Sequence, residues 1–404
     1  MDFRISLLRY TLSLLLFLLL ASCGGVAPAS PEFSSLPPPS MNEPSPTKTR
    51  LPRPGMHEPS PTNTLPSSPT ASRTSTPTST ATATLNPTVN LPLKPGEVIN
   101  RKNAGRVIRL GTVQEKLAGG EVGAQLAWSP DSSRIAVTTE GEGVRIIDPL
   151  QLEEVGEIRQ DTEGIFDRPG GIAYSPNGQF LAVTIPCGIY SNPCHTVFYD
   201  AHTYSRTGKE LEHIGAYVLT FSHNGKWMAY GSNTTAGVIN LEPYGGLFQI
   251  GERHSLYDFV LFSEDDRYFA VSGVNFADPL LVNTATWSLE YELDGLICFS
   301  PDHFHFAMTP GIWELESYQK VMTFGEEYSI GLCNFGKEGD ILINSKSESR
   351  LDIWDTATGE LLATLGEETV NGRWYSFSLS PDGRLIALVD WDAGGVSFWG
   401  IQEA

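Results

Sequence analysis

The sequence predicts an all-β fold, a seven-bladed β-propeller, and three observations predict it. A twelve-residue motif recurs seven times: LAWSPDSSRIAV (126–137), IAYSPNGQFLAV (172–183), LTFSHNGKWMAY (219–230), VLFSEDDRYFAV (260–271), ICFSPDHFHFAM (297–308), CNFGKEGDILIN (333–344) and FSLSPDGRLIAL (377–388). Its columns are restricted: the third position is aromatic in six copies and Leu379 in the other, and the eleventh is Ala in six copies and Ile343 in the other. The motif turns start at 129, 175, 222, 263, 300, 336 and 380, so the steps run from 36 to 47 residues, the length of one four-stranded blade.

Each motif reads as strand, tight turn, strand. Pro pre-sets φ, Asp or Asn bonds its own backbone and Gly takes positive φ, which is why Pro-Asp-Gly or a variant of it sits at the centre. The flanking strands are apolar on both faces, as expected of a sheet packed between two others. Ala opposite a bulky aromatic lets neighbouring sheets approach closely. The rest of each period supplies two more strands, the third ending at Asp148, Asp200, Asn240, Asn283, Glu314 and Asp355 in six copies and at Trp399-Gly400 in the seventh. Arg106–Leu117 has no motif of its own, and only five residues follow Trp399. The N-terminal strand is therefore expected to complete blade seven, which removes an open sheet edge.

The run LDIWDTATGELLATL (351–365), followed by the last motif, resembles a WD40 repeat. The resemblance spans Arg106 to Ile401, roughly three quarters of the chain, with Trp-Asp closing a third strand at Trp354-Asp355 and no Gly-His pair before the first strands; a TolB-like propeller fits the same pattern. It implies a docking platform for a protein or glycan. In that family the turns between second and third strands share one face with the loops that lead into each first strand. Here those segments carry Phe166, Arg168, Tyr190, Tyr257, Phe276, Tyr328, Trp374 and Trp391, the expected partner-binding residues. The segment 160–171 is the longest of these loops and the strongest candidate for a functional one.

Upstream, residues 1–22 read as a signal peptide: Arg4 and Arg9 precede the apolar run Leu12–Leu20. The run ends Leu-Ala-Ser-Cys, which resembles a bacterial lipobox and implies lipidation at Cys23, anchoring the chain outside the cytoplasm on the bacterial cell membrane. Residues 23–105 read as a disordered Pro/Ser/Thr-rich tether, and 106–404 as the propeller; residues 26–95 hold 17 of the 28 prolines and almost nothing large and apolar to bury.

Residues 96–404 carry 20 Lys/Arg against 43 Asp/Glu. Nucleic acid is excluded as a partner because it needs a basic footprint. A monomeric propeller is expected. Of five cysteines, Cys187 and Cys194 lie in one turn of blade two and are expected to form a disulfide, with a metal pair including His195 as the alternative. Cys298 and Cys333 fall one register apart in innermost strands; alternate residues face opposite sides of a strand, so buried free thiols are expected there rather than a bridge. Glu140, Glu142, Asp390 and Asp392 occupy equivalent turns of blades one and seven and form a weak Ca²⁺ candidate. His303 and His305 form an H-x-H pair in which His303 takes the turn glycine's place. The chain contains no G-x-S-x-G, H-E-x-x-H, Walker or G-x-G-x-x-G motif. Binding rather than catalysis is expected, with no cofactor. The alternative is a lactonase- or hydrolase-like propeller enzyme with its site at the central channel mouth, where Thr220, Asn334 and Ser378 are the polar candidates within the innermost strands, besides the thiols.

Overall fold

Seven four-stranded antiparallel sheets form the fold, and each motif supplies the first two strands of one. In this computed structural model the described residues are 92–94, 96–114, 124–139, 143–159, 170–185, 195–212, 214–232, 235–250, 257–273, 279–293, 297–308, 311–324, 332–347, 350–366, 376–390 and 394–403. All lie within one of the chain's two compact units, residues 48–404. The innermost strands are Leu126–Trp128, Ile172–Tyr174, Val218–Phe221, Tyr257–Phe262, Ile297–Phe299, Cys333–Phe335 and Phe377–Leu379. The outermost are Glu153–Ile158, Arg206–Glu212, Tyr244–Ile250, Ser288–Glu292, Lys320–Thr323, Leu361–Leu365 and, for blade seven, Ile108–Gln114. The last of these pairs antiparallel with Gly395–Gly400, so the first strand of the propeller closes its last blade as the sequence predicts.

The core consists of seven apolar clusters, one between each pair of consecutive blades. In every motif the first, third and tenth positions face the preceding blade, and the eleventh faces the following one. The small eleventh residue therefore meets the next blade's aromatic: Ala136 with Tyr174, Ala182 with Phe221, Ala229 with Phe262, Ala270 with Phe299, Ala307 with Phe335 and Ala387 with Trp128. This is the close approach that the columns imply.

The motif turns are held by their serine. Ser129 Oγ donates to Asp131 Oδ1 at 2.7 Å and accepts from the Arg134 N–H at 2.9 Å, and the same pair of bonds recurs at Ser175, Ser222, Ser263 and Ser380. In blades one, two, four and six the acidic or amide residue ending the third strand caps the next turn. Asp148, Asp200 and Asp355 each accept two backbone N–H bonds on Oδ1, and Asn283 accepts one.

The outermost strands are sheet edges, and each is blunted in the same way. The pairing between third and fourth strands shifts register once in all seven blades. A bulge bends a strand and disrupts the flat edge that a neighbouring molecule could extend.

The folded unit begins upstream of the boundary at 106 that composition suggests. Leu93, Ile99, Asn103 and Ala104 are buried. The Leu93 N–H donates to Leu150 O in blade one, Gly96 to Ile401 O and Ile99 to Gly383 O in blade seven, and Arg101 to Asp340 Oδ2 in blade six. This strap ends in a short 3-10 turn, Ala104–Arg106, packed on the outer strand of blade six. In a four-stranded meander the first-to-second and third-to-fourth turns lie at one end and the other connections at the opposite end. The four strap hydrogen bonds above are all to the first of these ends, the turn face.

Candidate functional site

Two places in the ring are candidates for a site, its central mouth and the end opposite the turn face. Both are built by the ends of the innermost strands. Two of the polar side chains in those strands join blades, and a third bonds within its own strand. Asn334 Oδ1 accepts from the Leu379 N–H at 3.4 Å, linking blades six and seven. Trp128 Nε1 donates to Ser378 O at 3.2 Å, linking blades one and seven. Thr220 Oγ1 donates to the neighbouring Phe221 O at 3.4 Å. Among the described residues no group of three or more His, Cys, Asp or Glu is placed to hold a metal ion.

The thiols in these strands overturn an expectation. Cys298 and Cys333 form a disulfide, with Cα atoms 5.8 Å apart, inside the cluster between blades five and six. The alternation of faces along a strand had argued for free thiols. It argues for a bridge once the sheets are stacked: a residue looking forward from blade five meets one looking back from blade six, and those two must lie on opposite faces of their strands. Cys298 shares its face with Ala307, and Cys333 shares its face with Phe335.

Next to the bridge lies a buried polar group that the sequence reading missed. Asn344, paired with Cys333, accepts from Trp354 Nε1 at 2.8 Å. Its other neighbour, Asp352, is fully buried and accepts from Thr364 Oγ1 at 2.6 Å. The corresponding indoles Trp313 and Trp399 lack an acceptor because Met308 and Leu388 stand where blade six has Asn344. The available signal was Asn344 at the motif's twelfth position, where blades five and seven have Met308 and Leu388.

A second cluster joins the motif turns of blades three and four. Asp266, 5% exposed and at φ +58°, accepts from the backbone N–H of His223 and of Asn224 at 2.7 and 2.8 Å. The His223 ring sits between Asp266 Oδ1 at 3.2 Å and Glu264 Oε2 at 3.3 Å. This second acidic residue, in the place of the motif glycine, ties one turn to the next. His303 stands at the same motif position in blade five with φ +67° and lies exposed in the turn; His305 begins the following strand and pairs with Asp302 at 2.7 Å. The H-x-H pair is thus split between turn and strand.

Phe166, Arg168, Tyr190, Phe276, Tyr328, Trp374 and Trp391 lie outside the described residues, as do Cys23, Cys187, Cys194, Glu140, Glu142 and Asp392. Tyr257 opens the innermost strand of blade four and Asp390 ends the second strand of blade seven, both at the loop end; their side chains are outside the description. No described helix is long and apolar enough to cross a membrane.

These features define a protein class by fold, the seven-bladed β-propeller. No protein-family model matches the sequence, and no curated protein matches it.

Proposed function

We propose that this chain is an extracytoplasmic, lipid-anchored docking protein of WD40-like form whose loop face receives a protein or glycan. The observation that carries the reading is the course of the strap. The chain joins the propeller along the turn face, through Leu93, Ile99 and Arg101, so the strap stays clear of the opposite end, where the first strand of every blade begins. The Cys298–Cys333 bridge supports the compartment, since structural disulfides form and persist in oxidising surroundings. The lipobox-like Cys23 and the Pro-rich stretch after it supply anchor and reach.

The test is a pull-down from source envelope extract with the full chain, beside a variant with Arg168, Tyr257, Trp374 and Trp391 changed to Ala. The expected result is a specific partner retained by the wild type and lost by the variant. A partner retained equally by both contradicts docking on the loop face.

A further inference from the structure

Neighbouring blades are tied in different ways. Hydrogen bonds cross between blades six and seven at Asn334, seven and one at Trp128, and three and four at Asp266. Between blades four and five Arg267 Nη2 donates to His303 O at 2.9 Å. Between blades five and six the tie is covalent, the Cys298–Cys333 bridge.

The bridged junction also encloses a carboxylate. Asp352 stands two residues before Trp354 on the third strand of blade six, so both face blade five. Asp352 is 0% exposed, and its Oδ2 has no hydrogen-bond partner. The groups that meet it belong to its own blade: Thr364 Oγ1 donates to Oδ1 at 2.6 Å, and Arg350 Nε lies 3.5 Å from the same oxygen. Blade five offers Ala307, Ile312, Met322 and Phe324 to this junction. Closing the two blades therefore strips water from Asp352 and brings it no donor in return, which costs free energy. Blade seven shows that the fold does not need a charge there. Ser397, paired with the twelfth motif residue Leu388 as Asp352 is with Asn344, takes the equivalent place. It bonds Thr112 on the outer strand, hydroxyl to hydroxyl, at 3.0 Å.

We propose that the bridge is a redox-sensitive latch: the buried Asp352 opposes closure of blades five and six, and oxidation of Cys298 and Cys333 holds them shut. Cys333 pairs with Asn344 and Asn344 with Asp352, so bridge and carboxylate lie in one row across the sheet. The latch closes by exchange with a disulfide oxidant. One cysteine thiolate attacks the oxidant's S–S bond, forming a mixed disulfide and releasing one thiol. The second cysteine attacks that mixed disulfide and releases the other thiol. Two electrons pass from the cysteine sulfurs to the oxidant, and the two cysteine protons end on the released thiols. A ring that completes itself on oxidation suits a chain that matures outside the cytoplasm. That use rests on the extracytoplasmic reading; the latch itself does not.

The test is amide exchange and alkylation of the full chain in a neutral detergent, after unfolding and refolding with oxidised glutathione or with excess dithiothreitol. Segments 297–308 and 333–344 of the reduced wild type should exchange at least about tenfold faster than in the oxidised chain. Cys298 and Cys333 of the reduced chain should alkylate without denaturant. Segments 126–137 and 219–230, in blades one and three, should keep their protection. Two neutral variants, Asp352→Asn and Asp352→Ser/Arg350→Gln, should stay protected when reduced; the second also removes the cation that Asp352 pairs with. Equal protection of the wild type in both redox states overturns the proposal. So does opening of both neutral variants on reduction as wide as in the wild type, and so does loss of protection in every blade alike. All of these are read on the purified chain, so they stand apart from the outcome of the pull-down.

Discussion

Ile343 and Leu379 are packed together between blades six and seven, and each is the single exception to its column. At the other six blade junctions an alanine meets an aromatic; here a larger aliphatic meets a smaller partner. The two departures compensate, and the junction stays filled.

The compensation is testable by a double-mutant cycle. Ile343→Ala alone should cost about 2–5 kcal/mol by leaving a cavity, and Leu379→Phe alone about 1–3 kcal/mol by overpacking. The double variant restores the pairing of the other six junctions and should be more stable than the sum of the two losses implies. Guanidinium denaturation of the four chains reads this directly; strict additivity would show that the residues are independent.

Gly336 stands where the other six motifs have serine, which makes Gly336→Ser look like a repair. A Cβ there would come within 2.4 Å of Ile341 Cγ1, and Ile341 is fully buried. The substitution should therefore destabilise, by about 1–3 kcal/mol. A gain in melting temperature would show that blade six has room that its packing does not indicate.

Acid should weaken the motif turns. The Ser129 hydroxyl beside Asp131, aided by Ser133, holds its carboxyl below the usual range despite an opposing desolvation. A carboxyl lowered on folding contributes stability that is present above its unfolded value near 3.8 and is lost as pH falls through the folded value. Asn177 and Asn224 occupy the same slot in blades two and three and accept the serine hydroxyl at 2.8 and 3.0 Å. Asp131→Asn should thus keep the turn while removing one titrating group. Its melting temperature should fall less between pH 5 and pH 2.5 than that of the wild type; parallel curves would contradict the assignment.

Lipid attachment makes a separate prediction. Cells expressing the full chain and fed labelled palmitate should label it, and Cys23→Ser should abolish the label and leave a larger, unprocessed chain. Equal labelling of both would remove the anchor from the account.

The ring was legible because its contacts repeat. Columns such as Ala136 and Tyr174 are set by a junction that recurs at every blade, so seven copies report one geometry. Features that occur once were harder to read. The Cys298–Cys333 bridge depends on which faces of two separate sheets oppose each other, and strand periodicity within one sheet does not say that. The strap was hidden in NLPLKPGEVIN (90–100), where Leu93 and the pair Val98-Ile99 are scattered among prolines, glycine and charges with no strand periodicity. Asp266 looked like one more turn residue, since its role is to bond the backbone of a different blade. The candidate loop residues share no column at all, and all but Tyr257 lie outside the described residues.

Peptide mapping of the chain isolated from its host envelope, alkylated without reductant, tests the stacked ring and its oxidising surroundings together. The account predicts a Cys298–Cys333 linked peptide, with both thiols alkylated only after unfolding and reduction. Recovery of both residues as free thiols would contradict the junction between blades five and six and the extracytoplasmic reading that rests on it.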